Sequence, residues 1–302
     1  MATTTTSVPR RRRPARPDAQ RSALGPGHRT LPRALGFAAL LALAALWLLP
    51  LLWGLVTALK SEAQAASLPV RWFPQAGGFT LDSFRTVLTS SNLPLWLLNS
   101  VLVAVVVTAV TVLISAMAAY GFSRTVFRGR EWLYALTIAA IMVPPQILIV
   151  PLFRQMLSLG LVDTYWGIIL PQLVAPAMVF VLKGFFDGIP VELEEAARMD
   201  GAGAFRVFWQ IVMPLSRSVL AAVSIFVFIS AWNNFLWPFI VVNDPDLMTM
   251  PVGLATVKNA FGVTFAADMA GATIAALPLL VIFMLFQRQI IRGVATTGLG
   301  GQ

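Results

Sequence analysis

DGIPVELEEAARMDGAGAFRVFWQIVMP, residues 187–214, is a polar, helix-forming segment set between two hydrophobic runs. It holds Asp187, Glu192, Glu194, Glu195 and Asp200, five of the chain's 13 acidic residues, against only Arg198 and Arg206. The segment is locally acidic in a protein whose formal net charge is +9. A stretch of this kind between lipid-soluble spans reads as a docking surface for a basic partner.

Around it the chain is built for lipid. Of 302 residues, 58% are hydrophobic and 12% charged, whereas soluble domains carry about 25% charged residues. The absence of cysteine excludes disulfides, thiolate metal sites and cysteine nucleophiles. The single histidine, His28, lies in an Arg-rich tail, so no histidine-based catalytic or metal cluster is expected. The basic residues gather beside the hydrophobic spans, which fits orientation and anionic headgroups rather than nucleic acid.

A bilayer core takes about 20 apolar residues per helix, and six stretches qualify: 35–59, 95–122, 132–152, 166–186, 218–242 and 270–286. The first is too long for a signal h-region of about 7–15 residues and reads as an uncleaved anchor. Of the 22 Lys and Arg residues, 17 fall on one side of this arrangement. Lys60, Arg71, Arg85, Arg154 and Lys258 fall on the other. The asymmetry puts both termini and the 187–214 segment in the cytoplasm. The expected fold is therefore all-α and polytopic, with six transmembrane helices, N-in and C-in. Residues 1–33 read as a disordered Arg-rich tail, 34–293 as the transmembrane domain and 294–302 as a C-terminal cytoplasmic tail.

No Asp, Glu, Lys, Arg or His stands in the middle of any span. Proton relays use such groups, so a proton-driven carrier is disfavoured, as is an intramembrane enzyme. An ion-coupled carrier or channel acting alone stays as the alternative, through backbone carbonyls. There is no G-x-x-x-x-G-K-[ST] phosphate loop, so any ATP that drives transport must be bound by another subunit.

Within the acidic segment, Pro190 suits a first helical turn, and Glu192, Glu194 and Glu195 place negative charge near the positive end of a helix dipole. Glu194 and Arg198 form an i, i+4 pair. Gly201 and Gly203 break the helix. A second amphipathic run follows, with Phe205, Phe208, Trp209 and Val212 at i, i+3, i+4, i+7 spacing. On these grounds alone, a bent helix pair that merely covers the bundle fits as well as a docking surface.

EEAARMDGAGAFRVFWQIVMP resembles the EAA loop of importer-type ABC permeases, whose pattern runs EAA, then DGA, then a hydrophobic stretch ending in I-x-x-P. Glu195, Ala196, Ala197, Asp200, Gly201, Ala202, Ile211 and Pro214 stand at matching positions. AYGFSR (119–124), IMVPPQILIVPLF (141–153), SAWNNFLWPFIVV (230–242) and TMPVGL (249–254) are similar to the sugar-permease branch. The similarity covers about 95–293. It implies a type I ABC importer permease of the maltose or glycerol-phosphate kind, carrying a sugar or related polyol across a prokaryotic inner or plasma membrane. It also implies that the 187–214 loop is a coupling helix seated in a cleft of a cytoplasmic ATPase. Glu195 would face a basic group there, and Gly201 would permit the bend. The implied partners are a second homologous permease, two ATPase subunits and an extracytoplasmic binding protein. ATP and magnesium would sit on the ATPase, and this chain, a transport subunit and not an enzyme, would bind no cofactor.

Candidate pathway residues are Trp232, Asn233, Asn234 and Trp237, with Asn99 weaker. Asn can hydrogen-bond sugar hydroxyls, and Trp offers a flat apolar face to a pyranose ring. The same residues also suit interhelical amide contacts and an aromatic belt. Pro144, Pro145, Pro151, Pro171, Pro176 and Pro278 free backbone carbonyls, and the kinks are read as shaping packing. The loop 243–269 is the expected binding-protein face, with Asp244 and Asp246 as rim contacts or solvated charges.

Overall fold

A computed structural model describes residues 30–75, 78–260 and 264–298, among which there are helices and loops but no strand. The Arg-rich tail lies outside these residues apart from 30–33, which are already helical. The chain divides into two units, Met1–Leu51 and Leu52–Gln302. The described part of the first unit is the start of helix α1 (Thr30–Ala58), which runs unbroken past Pro50.

The second unit is arranged around α2 (Leu93–Arg124). Its 32 residues span about 48 Å at 1.5 Å per residue, and its only proline, Pro94, is confined to the first turn. Trp96, Ser100, Val103, Val107, Thr111, Ser115 and Ala119 recur every three or four residues, and all are buried. Small residues in that stripe let neighbouring backbones approach closely. Leu98, Leu102, Val105, Ile114 and Met117 point outward, as lipid-facing positions do.

Three of the other spans are broken rather than straight. Helix α3 (Arg130–Ile141) meets the segment Pro145–Ser158, which contains α4 (Ile149–Ser158), at 96°. Pro145 forces its predecessor Pro144 into extended backbone, φ −62° and ψ 127°, and the ladder stops there. Tyr165–Gln172, which begins with α5 (Tyr165–Ile169), meets α6 (Pro176–Asp187) at 46°. There Pro176 holds Ala175 out of the helical region, at φ −129° and ψ 83°.

The acidic segment follows as α7 (Glu192–Met199) and α8 (Ala204–Leu215), and α8 turns by 81° into α9 (Arg217–Trp232). A break at 233–235 separates α9 from α10 (Leu236–Val241). The chain closes with α11 (Met250–Ala260) and α12 (Phe265–Gly298). Helix α12 passes Pro278 without a break and runs beyond the boundary expected at 293. Among the described residues three helices are long and apolar enough to cross a bilayer alone, and counting each bent pair as one span brings the number to six.

The second amphipathic run differs from its expected face. Residues Phe208–Val212 form a π turn, so the buried set is Val207, Phe208 and Val212, while Phe205 and Trp209 stay exposed and pair edge to face. The wider turn rotates the face that a 3.6-residue period assigns.

Candidate functional site

The Arg124 end of α2 holds the acidic segment through one arginine. Arg124 Nε lies 2.9 Å from Glu194 Oε1, and both side chains are more than nine-tenths buried. The Arg124 Nη2 group donates to the carbonyls of Phe186 and Ile189, each at 2.5 Å. These carbonyls lie in the last turn of α6 and just past its end, where a cation is favoured by the helix dipole. Beside it, Ser123 donates to Asp187 at 2.6 Å and Lys183 pairs with the same carboxylate at 2.7 Å. Tyr120 stacks obliquely on Phe208. The expected Glu194–Arg198 pair is present but longer, at 3.9 Å, with Arg198 half exposed. Glu194's principal partner is thus 70 positions away in sequence, beyond the reach of a local spacing rule.

With Glu194 turned inward, part of the EAA-like motif faces out. Glu195, Ala196, Asp200 and Gly201 are exposed, and Ala197, Ala202 and Pro214 are half-buried. Gly201 has φ +81°, a conformation that costs other L-residues about 1–2 kcal/mol, and it makes the turn between α7 and α8. Met199 and Phe205 flank this surface and are strongly exposed. The segment presents carboxylates and apolar side chains together, with its backbone fixed from behind by Arg124.

Where the three broken spans meet there is a cavity of about 370 Å³, within the roughly 300–1,000 Å³ typical of small-molecule sites. Pro145 and Gln146 enter it beside the break at 142–144, Pro171 and Gln172 beside that at 173–175, and Asn234 and Leu236 from the break at 233–235. Val107 and Thr111 of α2 form part of the wall, and Trp237, Met178 and Phe226 close much of the rest. The lining is mainly apolar, with a few amides and hydroxyls. Asn234 Nδ2 donates to Gln172 Oε1 at 2.8 Å, and Gln172 Nε2 donates to the Ile168 carbonyl at 2.8 Å. Trp237 donates to the Gly167 carbonyl at 3.0 Å. The prolines at 145 and 171 therefore border a cavity as well as shaping the packing.

Asn234 and Trp237 are the expected pathway residues that reach this cavity. Trp232 is buried elsewhere, stacked on Phe228 with ring centroids 5.8 Å apart. Asn233 is exposed and donates back to the Ile229 carbonyl at 3.0 Å. Asn99 is not on the cavity wall. Its amide donates to the carbonyls of Asp246 at 2.8 Å and Met248 at 2.9 Å, and its oxygen accepts from Tyr165 at 2.7 Å.

Those bonds belong to an anchor at the far end of α2. Trp96 donates to the Pro245 carbonyl at 2.7 Å, Asn92 to the Asp246 carboxylate at 3.1 Å, and the Met250 amide to Ser100 at 2.7 Å. Asp163, at φ +57°, accepts from the backbone amides of Asn243 and Asp244. These two bonds hold its carboxyl below the usual carboxylate range. Asp244 and Asp246 remain exposed on the rim.

The model of the binding-protein-dependent transport system inner membrane component matches residues 111–296, which take in the cavity lining except Val107, the acidic segment and most of the last helix. The chain belongs to that family. This permease is 38% identical over 223 residues to the arabinooligosaccharides transport system permease protein AraQ of Halalkalibacterium halodurans, covering 74% of this chain and 80% of AraQ. It is 32% identical to the lactose transport system permease protein LacG of Rhizobium radiobacter, over 88% of this chain and 96% of the relative. It is 34% identical to the inner membrane ABC transporter permease protein YcjP of Escherichia coli, over 90% and 98%. Among solved structures, a bacterial ABC transporter involved in the import of the acidic polysaccharide alginate shares the fold. The TM-score is 0.77 at 19% identity, over 87% of this chain and 99% of that chain.

The permease is thus an inner-membrane transport subunit that works with other transporter subunits, and it is not itself the ATPase. Sequence reasoning missed Arg124 and Gln172. Arg124 stood within the AYGFSR stretch and could have been singled out as a cation at a span end facing a surplus of carboxylates. Gln172 carried no comparable signal beyond its place next to Pro171.

Proposed function

We propose that this permease forms half of the passage of an ATP-driven importer for a neutral sugar or related polyol. A second, homologous permease supplies the other half. The 187–214 segment docks in one of two ABC ATPase subunits, and an extracytoplasmic binding protein delivers the solute to the opposite face. ATP and magnesium are held by the ATPase. Glu195, Ala196, Ala197, Asp200, Gly201, Ala202 and Pro214 make up the docking element, with Glu195 meeting a basic group. Asn234 and Trp237 line the passage, and Asp244 and Asp246 meet the binding protein. Closure of the ATPase dimer then rocks the two bundles about a fixed path.

The observation that carries this reading is the solvent-facing EAA-like surface. Glu195, Ala196, Asp200 and Gly201 are exposed while a buried ion pair at Glu194 fixes the segment from behind. The sugar class is supported by the relatives named for arabinooligosaccharides and lactose, and by a cavity lined with amides and aromatic rings but no charge.

The test is to purify the chain with its companion permease, ATPase and binding protein, reconstitute the complex in liposomes, and measure uptake of labelled arabino-oligosaccharides, lactose and maltose. ATP-dependent uptake of at least one neutral saccharide is expected, and it is expected to be lost with Glu195→Lys. Uptake that proceeds without ATPase subunits, driven by a sodium gradient, refutes the reading.

A further inference from the structure

Helix α2 is held by polar groups at both ends and by little except apolar packing between them. At the inner end Arg124 touches three groups at once: the Glu194 carboxylate of α7 and the carbonyls of Phe186 and Ile189, in the last turn of α6 and just past its end. A buried ion pair adds little net stability compared with apolar residues of the same volume. Its value lies in geometry, because a planar fork that meets several acceptors fixes both distance and orientation. The two carbonyl bonds and the charge contact with Glu194 therefore hold α7, which carries the exposed docking surface, against α2. At the outer end Asn99 uses its whole amide to hold the carbonyls of Asp246 and Met248 and the Tyr165 hydroxyl. Ser100 receives the Met250 amide just beyond it.

Between Arg124 and Asn99 the helix is continuous, over about 37 Å at 1.5 Å per residue. Three other spans are interrupted, at 142–144, at 173–175 and at 216, and the last is interrupted again at 233–235. A displacement applied at α7 can be absorbed at those breaks, but α2 has no such joint.

We propose that α2 is the transmission rod of this permease, with Arg124 and Glu194 as its inner joint and Asn99 as its outer joint. All three are positioning residues, through which an ATP-dependent movement of the docking segment reaches residues 245–250. The proposal rests on the importer reading above. It adds a direction of coupling: the outer loop responds to nucleotide because it is bonded to the same helix as the docking segment.

The chain has no cysteine, so a single reporter is easily placed. Pro245→Cys keeps the carbonyl that accepts from Trp96 and offers an exposed position for an environment-sensitive fluorophore. The labelled chain is assembled with its companion permease and ATPase in nanodiscs, and ATP with magnesium is the probe. In the otherwise unaltered chain, ATP is expected to change the emission at position 245. Glu194→Gln, Arg124→Lys and Asn99→Ala are each expected to reduce that change at least about fivefold, the lower end of ordinary coupling between sites. The rate of ATP hydrolysis is expected to persist. Asn99→Ala leaves the inner joint intact, so its loss of response separates transmission from simple damage to the docking face. Glu194→Gln combined with Asn99→Ala is expected to be no worse than either alone, because both cut one path.

If the assembled variants respond in full, or if the two ends act independently, the rod is refuted. If the unaltered complex hydrolyses ATP and position 245 is silent, the rod fails alone. If no ATPase associates with the unaltered chain, the importer reading fails and this inference with it.

Discussion

Gly167 tests how tightly the outer wall of the cavity is built. In a helix, glycine to alanine ordinarily stabilises by about 1 kcal/mol. Here an added Cβ would lie 2.1 Å from the Leu161 carbonyl oxygen, 3.1 Å from its carbon and 3.4 Å from a Val241 methyl. The first two atoms are backbone and cannot swing aside. The same carbonyl accepts from Thr164, whose hydroxyl caps α5 by accepting from the Gly167 amide at 3.1 Å. The Gly167 carbonyl in turn holds the Trp237 indole. Overpacking costs about 1–3 kcal/mol, and the strained hydrogen bonds add about 1 kcal/mol. After the helix gain is subtracted, Gly167→Ala is expected to destabilise by about 1–3 kcal/mol. Chemical unfolding of the detergent-solubilised protein measures this. Gly184→Ala, in α6, is the control, since nothing lies within 4 Å of its added Cβ. If Gly167→Ala is as stable as Gly184→Ala, the 161–167 turn is looser than described and Trp237 is not fixed by it.

At the docking segment, Gly201→Val puts a β-branched residue at φ +81°, and Gly201→Asn is better tolerated there. Both variants should insert normally, with solute transported per ATP hydrolysed falling further for valine than for asparagine. Trp232→Ala removes a buried ring stacked on Phe228 and should cost about 3–5 kcal/mol in unfolding assays, whereas Asn233→Ala should be near neutral. The carboxyl of Asp163 titrates lower in the folded protein than in the unfolded chain. Its stabilisation of the 243–244 turn is therefore present above the unfolded value of about 3.9 and lost as pH falls through the lower folded value. Amide exchange at Asn243 and Asp244, followed against pH, should show that acid loosening in the native chain and no such step in Asp163→Asn.

Hydrophobic run length and the placement of basic residues were enough to find the crossings, because lipid imposes both constraints locally. The internal breaks were less legible. Pro144, Pro145, Pro171 and Pro176 were visible as kinks, but whether a kink packs or opens a cavity depends on which broken spans lie side by side. The π turn at 208–212 rotated a face whose spacing fitted an ordinary helix, since nothing in FWQIV announces an extra residue per turn. The roles of the asparagines also depended on distant partners. Asn99 and Asn234 look alike in sequence, yet the first is consumed by carbonyls of the outer loop and the second meets a glutamine at the cavity. Trp232 and Trp237 are separated by the break at 233–235, and this sends one ring into the core and the other to the cavity wall. The Arg124–Glu194 pair joins residues that belong to different periodic patterns, so neither pattern predicts it.

The uncharged lining of the cavity has a consequence for the solutes that enter it. None of the residues around that space is Asp, Glu, Lys, Arg or His. Stripping an ion of its hydration in such surroundings costs tens of kcal/mol in the idealised limit, and the wall supplies no opposite charge to offset it. A wall of this construction favours neutral solutes, because it offers a dehydrated sodium or potassium ion no counter-charge.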